Sequence, residues 1–214
     1  MTMLPSLLAT MVLSPEHTYP GAVASPLDIR ASLCDINGTF LQLLVDMAHL
    51  DTARRPQFVE ELRTPLLRLK PQWIAARIPF LLVDIEFQNP AWWKAVAVES
   101  SRSVILPTRN LNLPRVSALK LARSTLMLAW HLARADRESS LIAMGMSGPV
   151  IAQLTVLQPR QMERIGERHY SQLRPRWEDH INLWLQLICG AHEQGGMRAF
   201  TLRALSSIAV HQTP

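Results

Sequence analysis

Arg160, Arg164 and Arg168 recur every fourth residue, so on a helix they form one stripe of guanidinium groups, and Arg174 and Arg176 follow shortly after. Guanidinium groups so arranged suit phosphate oxygens, which they hold with forked hydrogen bonds. Glu163 and Glu167 interleave with the stripe. Pairs of opposite charge three residues apart, Arg160 with Glu163 and Arg164 with Glu167, equally describe a solvated face of mixed charge.

Just upstream stands "LIAMGMSGPVIAQL", residues 141–154. Ala143 is small enough to let two helix axes cross closely, and Gly145 suits a left-handed turn position. Ser147 is placed to cap a second helix, Pro149 falls in its first turn, and Val150, Ile151 and Leu154 make one apolar face. The spacing is that of a helix-turn-helix, and equally that of a plain helical corner. Base edges are read by Arg, Lys, Asn or Gln. Here the second helix offers only Ser147, Gln153 and Thr155, so the cations lie on the next helix and not on the one shaped to read DNA.

Catalytic constellations are not found. The chain has no HExxH or HxxxH, no CxxC, no serine nucleophile elbow and no phosphate loop. Asp84 and Glu86 are the only carboxylates within an apolar run, and they read as edge or capping residues. His180, beside Glu178 and Asp179, reads as surface. Cys34 and Cys189 read as buried reduced thiols of a cytosolic protein. No enzyme, metal site or cofactor is expected.

These residues must be positioned by helices. The chain of 214 residues is 48% hydrophobic, carries a formal charge of +5, and has only 8 glycines and 2 tyrosines. Good helix formers dominate, which points to an all-α fold. A pI near 9.9 permits nucleic-acid contact without requiring it. The N-terminal "MTMLPSLLATMVL" has no basic residue before its apolar run, so it reads as a tail with a short helix over 7–13, not as a signal peptide. No stretch is long and apolar enough to span a membrane, and a cytoplasmic location is expected.

Ser25 and Pro26 mark a helix start, with Asp28 able to close a capping box, and Leu33, Ile36, Phe40, Leu43, Leu44, Met47 and Leu50 follow at helical spacing. Asn37-Gly38 predicts a kink or a split in that helix. A short helix with Phe58 and Leu62 inward, another opening at Pro71, and a third capped by Asn89 come next. "FLLVDIEF", 80–87, is ambiguous between a buried helix and an extended segment. Residues 100–114 lose the helical period and read as a linker. The period resumes at Leu119, Ala122, Leu126, Ala129 and Ala133. After the corner, a helix opens at Pro159, then "RPRWEDHINLWLQLICGAHEQ" reads as helical with Ile181, Trp184, Leu185 and Ile188 inward. Gly195-Gly196 precedes a last helix.

The halves are alike. "MAHLD" ends one long helix and "HLARAD" another, and "LRLKPQWIAARI" (67–78) parallels "TVLQPRQMERIG" (155–166). Phe87 followed by Trp92-Trp93 parallels Trp177 followed by Trp184. Such a pattern arises from tandem duplication or from a shared helical layout.

Residues 124–177, with Asp136-Arg137, Ser139, Met144-Gly145, Leu154, Leu157 and Met162, resemble the FlhD family of bacterial flagellar transcriptional regulators, and "DINGTFLQLL" (35–44) resembles that family's N-terminal helix. The resemblance implies an all-α bundle with two FlhD-like repeats and a helix-turn-helix-like corner. It divides the chain into a tail at 1–24, a degenerate repeat at 25–99, a linker at 100–114 and a second repeat at 115–214. It implies a transcriptional regulator or co-regulator working with an FlhC-like subunit that holds much of the DNA. The pair of repeats would be a pseudo-dimer within one chain, or the chain a homodimer. The first repeat lacks the corner, since "RTPLLRL" has no glycine where "MGMSGP" has one. A helical scaffold with no DNA role is the other class of function these residues allow.

Overall fold

The computed structural model describes residues 26–98, 111 and 113–190. The expected tail helix, the Ser25 cap with its Asp28 capping box, most of the linker, and the glycine break with the last helix lie outside the described residues. Helix α1 (Pro26–Ala48) is followed by a 3-10 turn (Thr52–Arg54) and the short helices α2 (Gln57–Glu61), α3 (Arg63–Leu66) and α4 (Pro71–Ala75). An extended segment containing β1 (Val83–Asp84) leads to α5 (Pro90–Val98). Then come α6 (Arg115–Ala135), α7 (Arg137–Ile142), α8 (Gly148–Val156) and α9 (Pro159–His169). A second 3-10 turn (Tyr170–Gln172), β2 (Arg174–Pro175) and α10 (Ile181–Gly190) complete the described chain. The fold is all-α, and the described residues include one two-stranded sheet in which Val83 pairs with Pro175 and Asp84 with Arg174, antiparallel.

Several expectations need correction. Asn37-Gly38 neither kinks nor splits α1. Asn37 is wholly buried, donates Nδ2 to Phe80 O at 2.8 Å and accepts from Leu82 N at 2.8 Å. A mid-helix amide thus supplies the hydrogen bonds that the extended segment lacks. Gly38 is needed for close approach, since a Cβ there would lie 2.5 Å from Gln72 Oε1. The 80–87 run is extended, and residues 174–180, expected as helix, form β2 and a turn. The single short helix expected after Pro56 is two, parted at Leu62. Phe58 and Leu119 are half-buried, and Leu50, past the end of α1, is exposed. Cys34 is half-buried and Cys189 exposed, both free thiols.

Other local signals act as their chemistry requires. Asn89 caps α5, accepting from Trp92 N at 3.0 Å. Pro71 and Pro159 open α4 and α9, where a missing N–H costs least. Phe40, Phe80, Phe87, Trp93 and Trp184 are buried to within 1%. Trp184 meets Phe58 edge-on at 5.3 Å, and Phe80 meets Trp177 at 5.4 Å. Each such ring contributes about 1.5–3 kcal/mol by leaving water.

The order of elements runs twice: a long helix, two short ones, a proline-opened helix, a strand residue pair and a final helix. Each buried position of α6 has a buried counterpart 85 residues earlier in α1, among them Leu33 with Ala118, Leu41 with Leu126 and Met47 with Leu132. Among the described residues, Glu86 and Trp177, each two residues past a strand, are the non-glycine positions with positive φ, at 55° and 58°. α1 packs on α4 as α6 packs on α9. Across the halves, α1 packs on α6, and each half's final helix reaches the other half's third, α5 on α8 and α10 on α3.

Candidate functional site

Asp136 opens the corner. Its carboxylate accepts from Glu138 N at 2.9 Å, Ser139 N at 3.1 Å and Ser139 Oγ at 2.5 Å, so α7 begins with two of its free N–H groups capped. The Ser139 hydroxyl first, then the backbone, holds the Asp136 pKa below its ordinary value. At the turn Gly145 has φ 71°, and beyond it Val150, Ile151 and Leu154 face the core.

The turn is stitched to the extended segment of the first half. Leu81 N donates to Ala143 O at 2.7 Å, and Ser147 N donates to Phe87 O at 3.0 Å. Gln88 Nε2 donates to Gly145 O. Beneath lies Arg176, whose Nη1 donates to Leu81 O and Ala143 O, both at 3.3 Å, and whose N donates to Leu82 O at 2.7 Å. Burial pushes the Arg176 pKa down to about 10, with Asp84 opposing, so the group stays charged at neutral pH. A Cβ at Gly145 would overlap that guanidinium. Gly145 is therefore fixed by both its φ and its neighbour.

The candidate DNA-contacting residues divide accordingly. Arg176 is corrected: it is an internal tie, enclosed away from any ligand. Arg174 donates from Nε to Asp84 Oδ2 at 2.8 Å and pairs with Glu86 at 3.1 Å. Burial would lower its pKa, but Asp84 and then Glu86 raise it above the ordinary value. Asp84 and Glu86 are thus partners of an arginine, as an edge reading requires. Ser147 takes the N-cap position of α8 but makes no capping bond, and its buried Oγ is without a partner. Gln153 donates to Pro90 O at 3.2 Å, and Thr155 Oγ1 to Ala152 O at 2.8 Å. All three are half-buried. What α8 turns outward is Pro149, Ala152 and Val156, the last 78% exposed.

Arg160, Arg164 and Arg168 lie exposed on α9, whose other face buries Met162, Ile165 and Gly166. Glu167 pairs with Arg123 of α6 at 2.5 Å, not with Arg164 as the spacing suggested. Among the described residues no histidine, cysteine and carboxylate side chains gather as around a metal ion, and no helix is long and apolar enough to cross a membrane.

One surface escaped the sequence reading. Residues 62–83 contain Arg63, Arg68, Lys70 and Arg77 and no carboxylate, and all four cations are exposed. The signal was the missing acids, which a search for regularly spaced cations passes over.

Comparison with protein-family models, curated protein sequences and solved structures returned no match.

Proposed function

We propose that this protein is a subunit of a transcription-regulating complex, that its two halves stand where two protomers would, and that its helical corner meets protein and not base edges. The observation that carries this reading is the outward face of α8. Pro149, Ala152 and Val156 offer no hydrogen-bonding side chain, while Ser147, Gln153 and Thr155 are turned inward or engaged. A small apolar face suits helix packing against a partner and cannot discriminate bases. The resemblance to FlhD-like regulators supplies the class of partner, an FlhC-like subunit, and the recurrence of elements supports an internal pseudo-dimer.

The scaffold reading draws on the same occlusion of α8, and the two part over DNA. Tagged protein captured from its native cells is expected to bring a defined partner that holds duplex DNA, with binding falling steeply as salt rises. Ala152→Glu with Val156→Glu should abolish capture of that partner while the fold persists. A native complex that holds no duplex at any salt would leave the scaffold.

A further inference from the structure

Where β1 meets β2, the two halves carry opposite charge. Val83, Asp84, Ile85 and Glu86 in the first half stand where Arg174, Pro175, Arg176 and Trp177 stand in the second. Each run opens with a strand and ends on a residue of positive φ, Glu86 or Trp177. Over these positions the first half brings two acids and no base, and the second two bases and no acid. Arg174 reaches across the halves to Asp84 Oδ2 at 2.8 Å and to Glu86 Oε1 at 3.1 Å, and these carboxylate side chains are only 11% and 12% exposed. Arg176 is buried as well, and Asp84 pulls back against the fall in its pKa that burial causes. On Arg174, Asp84 and then Glu86 act more strongly than Glu178 of its own half.

We infer that these residues decide which half pairs with which: Asp84 and Glu86 on one side, with Arg174 and Arg176 on the other, admit the unlike half and refuse a second copy of the same half. Two first halves paired about a two-fold axis would enclose two copies each of Asp84 and Glu86, with no guanidinium from the facing strand. Two second halves would enclose two copies each of Arg174 and Arg176, with no carboxylate from the facing strand. A buried charge that loses its counter-charge is costly, and like charges brought together add to the cost. The hydrogen bonds that Asp84 accepts from Phe87 N, and Glu86 from Asn89 Nδ2, lie within the first half. They would persist in a like pair and do not replace the arginine. Refusal matters during synthesis, because the first half is complete before the second exists, and first halves of other nascent chains then present the same pairing face. Once the second half is made, its tether favours it over the second half of any other copy. The inference rests on the pseudo-dimer part of the proposed function, and it names what keeps like halves from pairing.

The test uses full-length protein with a protease site placed between residues 99 and 110. It is cleaved, unfolded and refolded with both halves present, and the pairs that form are weighed by native mass spectrometry. Wild type is expected to give unlike pairs at least about ten-fold over like ones. Asp84→Asn with Glu86→Gln removes the charge of the first half at nearly constant shape, and pairs of two first halves should then appear. In the uncut chain, Asp84→Arg alone and Arg174→Asp alone should each lower the melting temperature by at least about 6 °C. The two changes combined should recover more than about half of that loss, because opposite charges face each other again. Like pairs as frequent as unlike ones in wild type, no first-half pairs from the neutral variant, or a combined variant no more stable than either single one overturns the inference. Halves that form no pair of any kind overturn the pseudo-dimer reading and this inference with it, whereas like pairs formed freely overturn this inference alone. The regulatory reading fails separately, when the complex captured from native cells holds no DNA.

Discussion

Gly145 and Arg176 are 31 positions apart and mutually dependent, since the space above the turn is filled by the guanidinium that ties Leu81 O to Ala143 O. Gly145→Ala should cost about 3 kcal/mol, roughly 1–2 from left-handed backbone and the rest from displacing Arg176. Arg176→Ala should cost about 2–4 kcal/mol, because buried carbonyls lose their charged donor. In the double variant the steric part vanishes, so the combined loss should fall short of the sum by more than about 1 kcal/mol in denaturant titrations. Additivity within about 0.5 kcal/mol would mean the two act independently. Turn chemistry alone made Gly145 legible in the sequence. Arg176 was not, because in "RPRW" it is the same residue type as Arg174, and only the fold decides which guanidinium is enclosed. Asp136 is a second legible residue, and Asp136→Ala should cost about 1 kcal/mol at neutral pH. Its folded pKa is lowered, so the stabilisation is complete above the ordinary carboxylate range and lost as pH falls through the lowered value. Denaturation midpoints of wild type and variant should therefore converge in acid, and a gap that widened there would contradict the capping role.

Periodicity made the long helices readable, since α1 and α6 each bury residues at spacings of three and four. It failed where pairing is long-range. The eight residues 80–87 are apolar enough for either a helix or a strand. What decides is Asn37 from α1, β2 from the far half and the turn at Gly145, none of them adjacent in sequence. Asn37 looked like a break because Asn-Gly usually is one. Its buried amide instead substitutes for a missing strand. Asn37→Leu keeps the volume and strands Phe80 O and Leu82 N without that partner, so we expect a loss of about 2–4 kcal/mol on thermal or chemical unfolding. A loss below about 0.5 kcal/mol would show that water or a shift of the segment satisfies both groups. The α9 stripe is the contrasting element. Arg160→Ala, Arg164→Ala and Arg168→Ala together should leave the unfolding midpoint nearly unchanged, since exposed charges contribute little.

At the scale of the molecule, the exchange of final helices sets what can fold alone. α5 packs on α8 and α10 on α3, while β1 pairs with β2 across the halves. A half on its own keeps its long helix against its proline-opened helix but loses the partner of Trp93 or Trp184's helix, and exposes the apolar faces of α1 or α6. Single-half burial is then too small to offset ordering so short a chain. The strand register, 83 with 175 and 84 with 174, is what a two-fold axis between equivalent strands produces. We therefore predict that a chain interrupted between residues 99 and 110 folds only as a pair. Each half expressed alone should give weak, non-cooperative melting by circular dichroism. Mixed, they should form a 1:1 complex with cooperative unfolding that depends on concentration, as for an obligate dimer. Asn37→Leu in the first half and Arg176→Ala in the second, which removes the guanidinium's bond to Leu81 O across the fragments, should each weaken that complex, because halves unfolded on their own turn any loss of folding free energy into lost affinity. A half that melts cooperatively as a monomer would end the pseudo-dimer reading, because its core would then be complete without the exchanged helix.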